Sequence, residues 1–477
     1  MRKHPQGLAA RRRLGEGLLT RVGDSGLEQP EHPGLLSAQL RPITIGILSV
    51  MTLAAFEAIA TATAMPVVAR ELDALGGYTW AFNAYIAASL LAMVIAGLWC
   101  DASGPRGSII LGISAFAIGS VVAGASPSLA VLIAGRAGQG VGSGAVIVGL
   151  YVLIARAYPE SLRPKAFSAL AAAWVLPSLV GPLVAGWLAD SVSWRLVFWV
   201  VPIFVLPPLL LLLPRLAAHQ GGTPNPRARQ RILAGIVATG GLLAVQDGLL
   251  RVSSPGFAEA GLGILLILGA ARVLLPAGSL TFARGLPTTI MMRGLIAAGY
   301  FSAEVFLPLA LVEIKGVSIT VAGLALAVGA ASWAIGSFAQ SRLSGSTDRS
   351  AAVLVGALVV VVAILTLPLV LVPSVSVWVA AGSWALAALG MGLAIPSISV
   401  QTMRLSPEAD QGMNSSALQI VDSVLVVVGT ALIGTVYAHA VVTGGATSAT
   451  YSIMWIAAAA IVLAAALLAP RMRPISA

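Results

Sequence analysis

The chain has 477 residues, of which 58% are hydrophobic and only 10% are charged; its mean hydropathy is +0.94. A soluble domain carries about 25% charged residues. A water-soluble enzyme, a disordered chain and a nucleic-acid-binding domain are therefore excluded, and an all-α polytopic membrane protein remains. The net charge of +10 comes from basic residues placed between apolar blocks, where they report membrane orientation and not a nucleic-acid partner.

In chain order, residues 1–42 come first. They hold Arg2, Lys3, Arg11, Arg12, Arg13 and Arg21 but no apolar core, so they read as a polar cytoplasmic tail and not as a signal peptide. A spanning helix needs about 20 mostly apolar residues, and about fourteen are expected. Six lie at 43–69, 78–100, 108–125, 129–155, 165–189 and 194–214, and form a first bundle over 43–214. The Gly/Pro-rich, arginine-bearing stretch 215–231 reads as a cytoplasmic linker. Spans at 232–250 and 256–276 make an inserted pair over 232–276, short and glycine-rich enough to form either two crossings or one re-entrant unit. A second bundle over 277–470 holds spans at 287–312, 318–340, 351–372, 376–400, 413–438 and 450–469, and 471–477 is a second cytoplasmic tail.

An even span number puts both termini on one side. Sorting Lys and Arg by loop leaves only Arg70, Arg195, Arg251 and Lys315 opposite the termini, so the termini are expected in the cytoplasm. A faint repeat at an offset of 248 pairs Gly181 with Gly429 and Gly186 with Gly434. Such a match fits two parallel halves related about the membrane normal.

Three motifs carry a mechanism. The loop after the second span reads Gly97-Leu-Trp-Cys-Asp101-Ala-Ser-Gly104-Pro-Arg106. The fourth span contains Arg136 in Leu132-Ile-Ala-Gly-Arg136-Ala-Gly-Gln139-Gly140. The fifth contains Pro177-Ser-Leu-Val-Gly181-Pro182-Leu-Val-Ala-Gly186. Together they resemble the signatures of the major facilitator superfamily, in its fourteen-helix drug:proton antiporter branch. Ala102 and Pro105 stand where that family usually has basic residues, and Pro177 and Ala185 where it usually has glycine. The resemblance implies a two-bundle fold. It implies a conformational latch at Gly97, Asp101, Gly104 and Arg106, and an arginine at 136 that assists proton transfer. It also implies an antiporter motif at Pro177, Gly181, Pro182 and Gly186.

A charge inside a membrane span is a functional-site hypothesis by default. Glu57, Glu304 and Asp422 are the candidate proton carriers beside Arg136. Glu57 lies about 14 residues, or about 21 Å, from the start of its helix, and Arg136 lies roughly 10 Å from the far end of its own. In a hydrocarbon core about 30 Å thick these depths coincide, so the two side chains are expected to meet. Glu304, flanked by Tyr300, Phe301 and Phe306, suits an amphipathic cation, and Trp174 of the fifth span is a further candidate for binding substrate. Asp247 has Arg251 four residues on, which reads as a local ion pair.

The one cysteine, Cys100, excludes an intrachain disulfide and a cysteine metal cluster. No P-loop, zinc motif or nucleophile elbow occurs, so no cofactor, metal or enzymatic activity is expected. The expected protein is a monomeric, proton-coupled plasma-membrane exporter of amphipathic small molecules, surrounded by lipid. Export of a lipid or hydrophobic metabolite on the same scaffold is the nearest rival, and a scaffold or sensor without transport is the third reading.

Overall fold

The computed structural model describes residues 34–159, 162–216, 227–342, 349–407 and 411–473. Most of the expected N-terminal tail, the centre of the 215–231 linker and the last residues of the C-terminal tail lie outside them. The described residues contain α-helices, short 3-10 turns and no strand. The helices are α1 Arg41–Glu71, α2 Trp80–Ser103, α3 Pro105–Gly124, α4 Leu129–Ala157, α5 Arg163–Ala172, α6 Val175–Ser191, α7 Arg195–Leu216, α8 Ala228–Leu250 and α9 Ser254–Leu274. They continue as α10 Leu286–Lys315, α11 Ile319–Ser341, α12 Ser350–Thr366, α13 Trp378–Leu405, α14 Gln411–Thr443 and α15 Ser448–Leu468.

Thirteen segments among the described residues are long and apolar enough to cross a membrane. Both α8 and α9 are among them, so each is long enough to cross by itself. The fifth expected span is the exception. It is divided at Ala173 and Trp174 into α5 and α6. Pro177 explains the break: it has no N–H to give to Ala173, and its ring disfavours helical backbone just before it.

Packing is dense where side chains are small. In the N-terminal group, α1 lies against α6 and α7, and α4 lies against α2 and α3. Glycines at the α3–α4 crossing bring the backbones together: a Cβ on Gly112 would stand 2.9 Å from the Gly142 carbonyl oxygen. In the C-terminal group, α13 packs on α11 and α12, and α10 on α14 and α15. The pair α8–α9 rests on α2 and α14 through α8. Gly104, at φ 83°, joins α2 to α3, a backbone conformation that glycine adopts without strain.

The two groups meet at one end. One large apolar core runs through both, and from the N-terminal group it takes residues such as Ala64, Val68, Tyr78, Ala185 and Trp194, all near the loops opposite the termini. A second core, with Ile43, Ile47, Ile109, Leu153 and Leu212, lies near the termini and draws on the N-terminal group alone. Cross-group hydrogen bonds follow the same rule. Tyr78 donates its hydroxyl to the Val305 carbonyl at 3.1 Å, and Asp190 accepts from the Thr320 backbone N–H at 3.0 Å and from its hydroxyl at 2.7 Å. The second of these places a carboxylate at the N-terminus of α11, where the helix dipole favours it.

The repeat partners Gly186 and Gly434 make matching crossings. Gly186 of α6 faces the Thr320 backbone at the start of α11, and Gly434 of α14 faces Thr79 at the start of α2. Three of the four basic residues on this side are tied down. Arg195 bonds Glu71 at 3.2 Å and the Ser126 carbonyl at 2.7 Å, and Lys315 donates to the carbonyls of Val372, Pro373 and Val375. Arg251 pairs with Asp247, as the spacing predicts.

Candidate functional site

Glu57 and Arg136 meet in the interior of the N-terminal group, at the depth their positions imply. Glu57 is fully buried and Arg136 is 3% exposed. Arg136 Nη1 donates to Glu57 Oε1 at 2.5 Å and to Gln139 Oε1 at 2.7 Å. Its Nε donates to the Ala81 carbonyl at 2.8 Å, and the guanidinium lies 4.6 Å from the centre of the Tyr85 ring. Thr61 gives a second bond to Glu57 Oε1 at 2.8 Å. The chain of bonds continues from Gln139 Nε2 to Ser120 Oγ at 2.9 Å, and from there to the Phe116 carbonyl at 2.8 Å.

This arrangement answers the cost of charge in a membrane. The guanidinium is held by a carboxylate, an amide, a carbonyl and a ring face. The carboxylate is used unevenly: Oε1 accepts two bonds, while Oε2 is buried with no hydrogen-bond partner. A proton placed on Oε2 breaks no bond, and it removes the negative charge that holds Arg136. The helix spacing of the supporting residues was readable in the sequence, since Thr61 is four residues from Glu57 and Gln139 three from Arg136. The contributions of Ser120, Tyr85 and Ala81 come from other helices and had no local signal.

Glu304 lies on α10, partly exposed, and makes no hydrogen bond or ion pair with any described residue. Tyr300, one turn earlier, stacks on Trp384 with centroids 4.5 Å apart and meets Phe301 and Trp333 edge to face at 5.3 and 5.7 Å. Phe301 and Trp333 are half-buried. This side of α10 therefore offers aromatic groups beside an unpaired carboxyl.

Two aromatic expectations are corrected. Phe306 is completely buried and packs against Tyr78 and Tyr437, so it belongs to the plug between the groups. On a helix it stands about 200° round from Glu304, which turns it away. Trp174 occupies the turn between α5 and α6, 40% exposed, and no ring contact among the described residues joins it to Tyr300.

Asp422 is not an isolated buried acid. It is 24% exposed and pairs with Arg293 at 3.1 Å, with Ser399 at 3.5 Å from the same guanidinium. The plug holds a further acid that the sequence reading passed over. Glu313 accepts hydrogen bonds from Tyr451 at 2.5 Å and Tyr437 at 3.3 Å.

Asp101 and Arg106 of the expected latch are exposed, and no hydrogen bond or ion pair among the described residues engages either. The loop is tied instead by Arg156, whose Nη2 donates to the Cys100 carbonyl at 3.1 Å. The latch lies at the termini end, beyond the core residues that the two groups share. Of the fifth-span motif, Pro177, Gly181, Pro182 and Gly186 are all buried. Gly181 stands beside Ile59 of α1, and the Pro182 carbonyl and Gly186 press on α11 at Gly323 and Thr320.

The family model of the Major Facilitator Superfamily matches residues 47–430. The multidrug transporter protein MdtP of Bacillus subtilis is 25% identical over 405 residues, covering 82% of this chain and 74% of its own. A probable multidrug-efflux transporter of Mycobacterium tuberculosis is 26% identical over 402 residues, covering 79% and 83%. An uncharacterized MFS-type transporter of the same organism is 36% identical over 158 residues, and the chain aligns with only 23% of its length. Among solved structures, a POT family transporter bound to 5-aminolevulinic acid superposes with a TM-score of 0.70 at 14% identity, over 93% of this chain and 99% of that one. The human organic anion transporter TETRAN gives 0.62 at 15% identity, over 90% and 99%. These likenesses show a shared fold.

Proposed function

The chain belongs to the major facilitator superfamily and is a multi-pass membrane transporter, not an enzyme, and from that premise we propose that it is a proton-coupled exporter of amphipathic cations. The observation that carries the reading is the buried Glu57–Arg136 pair with its bare Oε2. A passive scaffold has no need of an ion pair in its interior, and such a pair is costly to keep.

The working cycle follows from the chemistry. With the groups apart at the termini end, which the arginine asymmetry assigns to the cytoplasm, substrate enters between them and settles beside Glu304, Tyr300 and Phe301. The negative carboxyl attracts a cation, and the ring faces add a cation–π contribution. In the opposite conformation a proton from outside neutralises Glu57 and loosens Arg136 from it. On return, the restored Arg136 pair favours the carboxylate and expels the proton to the cytoplasm. Glu304 carries substrate, a proton, or both in exchange. Asp422, already neutralised by Arg293, is a supporting group.

The similarity to multidrug transporters at about 25% identity supports efflux of drug-like molecules. Proteoliposomes with an imposed pH gradient test the whole reading. A dye cation moves against its own gradient when the interior is acid, and transport stops when a protonophore collapses the gradient. Movement of a fluorescent lipid with no movement of the dye rejects cation export in favour of the lipid rival.

Charge recognition has its own test. Glu304→Gln weakens binding of a dye cation by roughly tenfold, the scale of one partly desolvated ion contact, while a neutral dye of the same shape binds unchanged. Equal effects on both dyes, read by fluorescence titration, remove Glu304 from the binding site.

A further inference from the structure

A groove of about 480 Å³ runs along the flank of the N-terminal group between α2, α4 and α8, with Leu111 of α3 also in its lining, and no residue of α10 to α15 lines it. That volume is in the range of small-ligand pockets. Apart from the Thr239 hydroxyl and the indoles of Trp80 and Trp99, its lining is wholly aliphatic.

The shape is long and narrow. The floor is the alanine-rich face of α2 from Trp80 to Trp99, a rise of about 28 Å at 1.5 Å per residue. This equals the hydrocarbon thickness of a bilayer, about 30 Å, with an indole at each end where interfacial aromatics sit. One wall is the four-residue stripe Ile133, Ala137, Val141 and Ala145 of α4, and the other is Thr239 and Leu243 of α8. Alanines keep the floor low, and the larger residues stand along the rims.

The α8 wall continues at the same four-residue spacing to Gly235, which faces Leu91 and Val94, and then to Arg231. Thr239 reaches the Ala87 carbonyl at 3.5 Å. The two helices run antiparallel, so Arg231 stands level with the stretch from Ile95 to Trp99. Arg231 thus marks one mouth of an apolar slot that is one membrane leaflet or more in length; Arg229, two residues earlier, stands about 200° round the helix and turns away from it.

We infer that this groove holds one acyl chain of an anionic phospholipid, with the phosphate drawn to Arg231. A slot lined this way excludes polar ligands, and a basic group beside its mouth attracts anionic headgroups. The lipid fills the seam between the N-terminal group and the inserted pair.

The test uses the full-length chain in mild detergent, offered equal amounts of phosphatidylglycerol and phosphatidylcholine with identical acyl chains, and retained lipid is counted by native mass spectrometry. One phosphatidylglycerol per chain is expected to stay bound. Ala88→Phe and Val141→Phe fill the slot and lower retention of both lipids by roughly tenfold. Arg231→Gln lowers phosphatidylglycerol retention by about fivefold and leaves phosphatidylcholine unchanged. Leu265→Phe, on the outer face of α9 where Leu265 is 66% exposed, serves as the control and behaves as wild type. Equal retention in all variants, or an Arg231→Gln effect that ignores the headgroup, overturns the inference. Displacement of the lipid by dye cation at transported concentrations also overturns it, by making the groove a lateral substrate entrance.

Discussion

Glu57→Gln abolishes export driven by a pH gradient and leaves binding of the dye cation within about twofold of wild type. Glutamine keeps the length of the side chain and an acceptor for Arg136 and Thr61, so the helices stay in place. What it removes is the ability to exchange a proton. Glu57→Ala is the less informative change, because it strands a buried guanidinium, and losing one partner of such a pair costs about 3–5 kcal/mol of stability. Glu57→Asp retains the charge but shortens the reach, and gives partial export with an altered pH profile. The measurement is dye flux in proteoliposomes beside equilibrium dye binding in detergent. A Glu57→Gln protein that still exports against a gradient ends the role assigned to this residue.

Gly186→Leu drives the two helix groups apart at the sealed end. A Cβ at Gly186 would stand 2.7 Å from the Thr320 Cα. The obstacle is backbone, so no rotamer change relieves it. Overpacking of this kind costs typically about 1–3 kcal/mol, charged only to the conformation in which α6 and α11 touch. A population shift of about tenfold or more toward the opposite conformation follows. Spin labels at the outer ends of α6 and α11 report it as a longer distance, and Gly186→Ala gives a smaller shift in the same direction. Unchanged distances in both variants show that this crossing does not set the balance. Gly434 faces the Thr79 side chain across the other seam, an obstacle that a rotamer change can relieve, so a smaller shift is expected there.

Much of this architecture was legible because a membrane restricts the choices. Span number follows from runs of apolar residues, and the meeting of Glu57 with Arg136 followed from depth arithmetic, since each helix is anchored by where its polar flanks begin. Rotation about the helix axis was harder. Phe306 was grouped with Glu304 by closeness in sequence, yet two residues of helix carry a side chain to the opposite face. Arg293 lies near the start of α10, and its bond to Asp422 joins residues 129 positions apart, which no local pattern announces. The break before Pro177 lay in the open as a proline, but its position was not, because a proline in a span can bend a helix as readily as divide it. Glu313 escaped notice near the end of α10, where an acid reads as solvated, while two tyrosines from α14 and α15 close over it.

The inserted pair has a mechanical consequence. Asn83 donates to Gln246 at 2.5 Å, and Gln246 donates to Thr79 at 2.7 Å, so two amides and a hydroxyl rivet α8 to α2. Toward α14 the same Asn83 has only a 3.4 Å contact with the Val427 carbonyl. In a medium without water to replace a lost partner, the shorter bonds outlast the longer one. In a rocking motion α8 and α9 are therefore expected to travel with the first half, with slippage on the faces that α2 and α8 turn to α14. Such a motion is expected to be lopsided, because the inserted pair adds its bulk to one half alone.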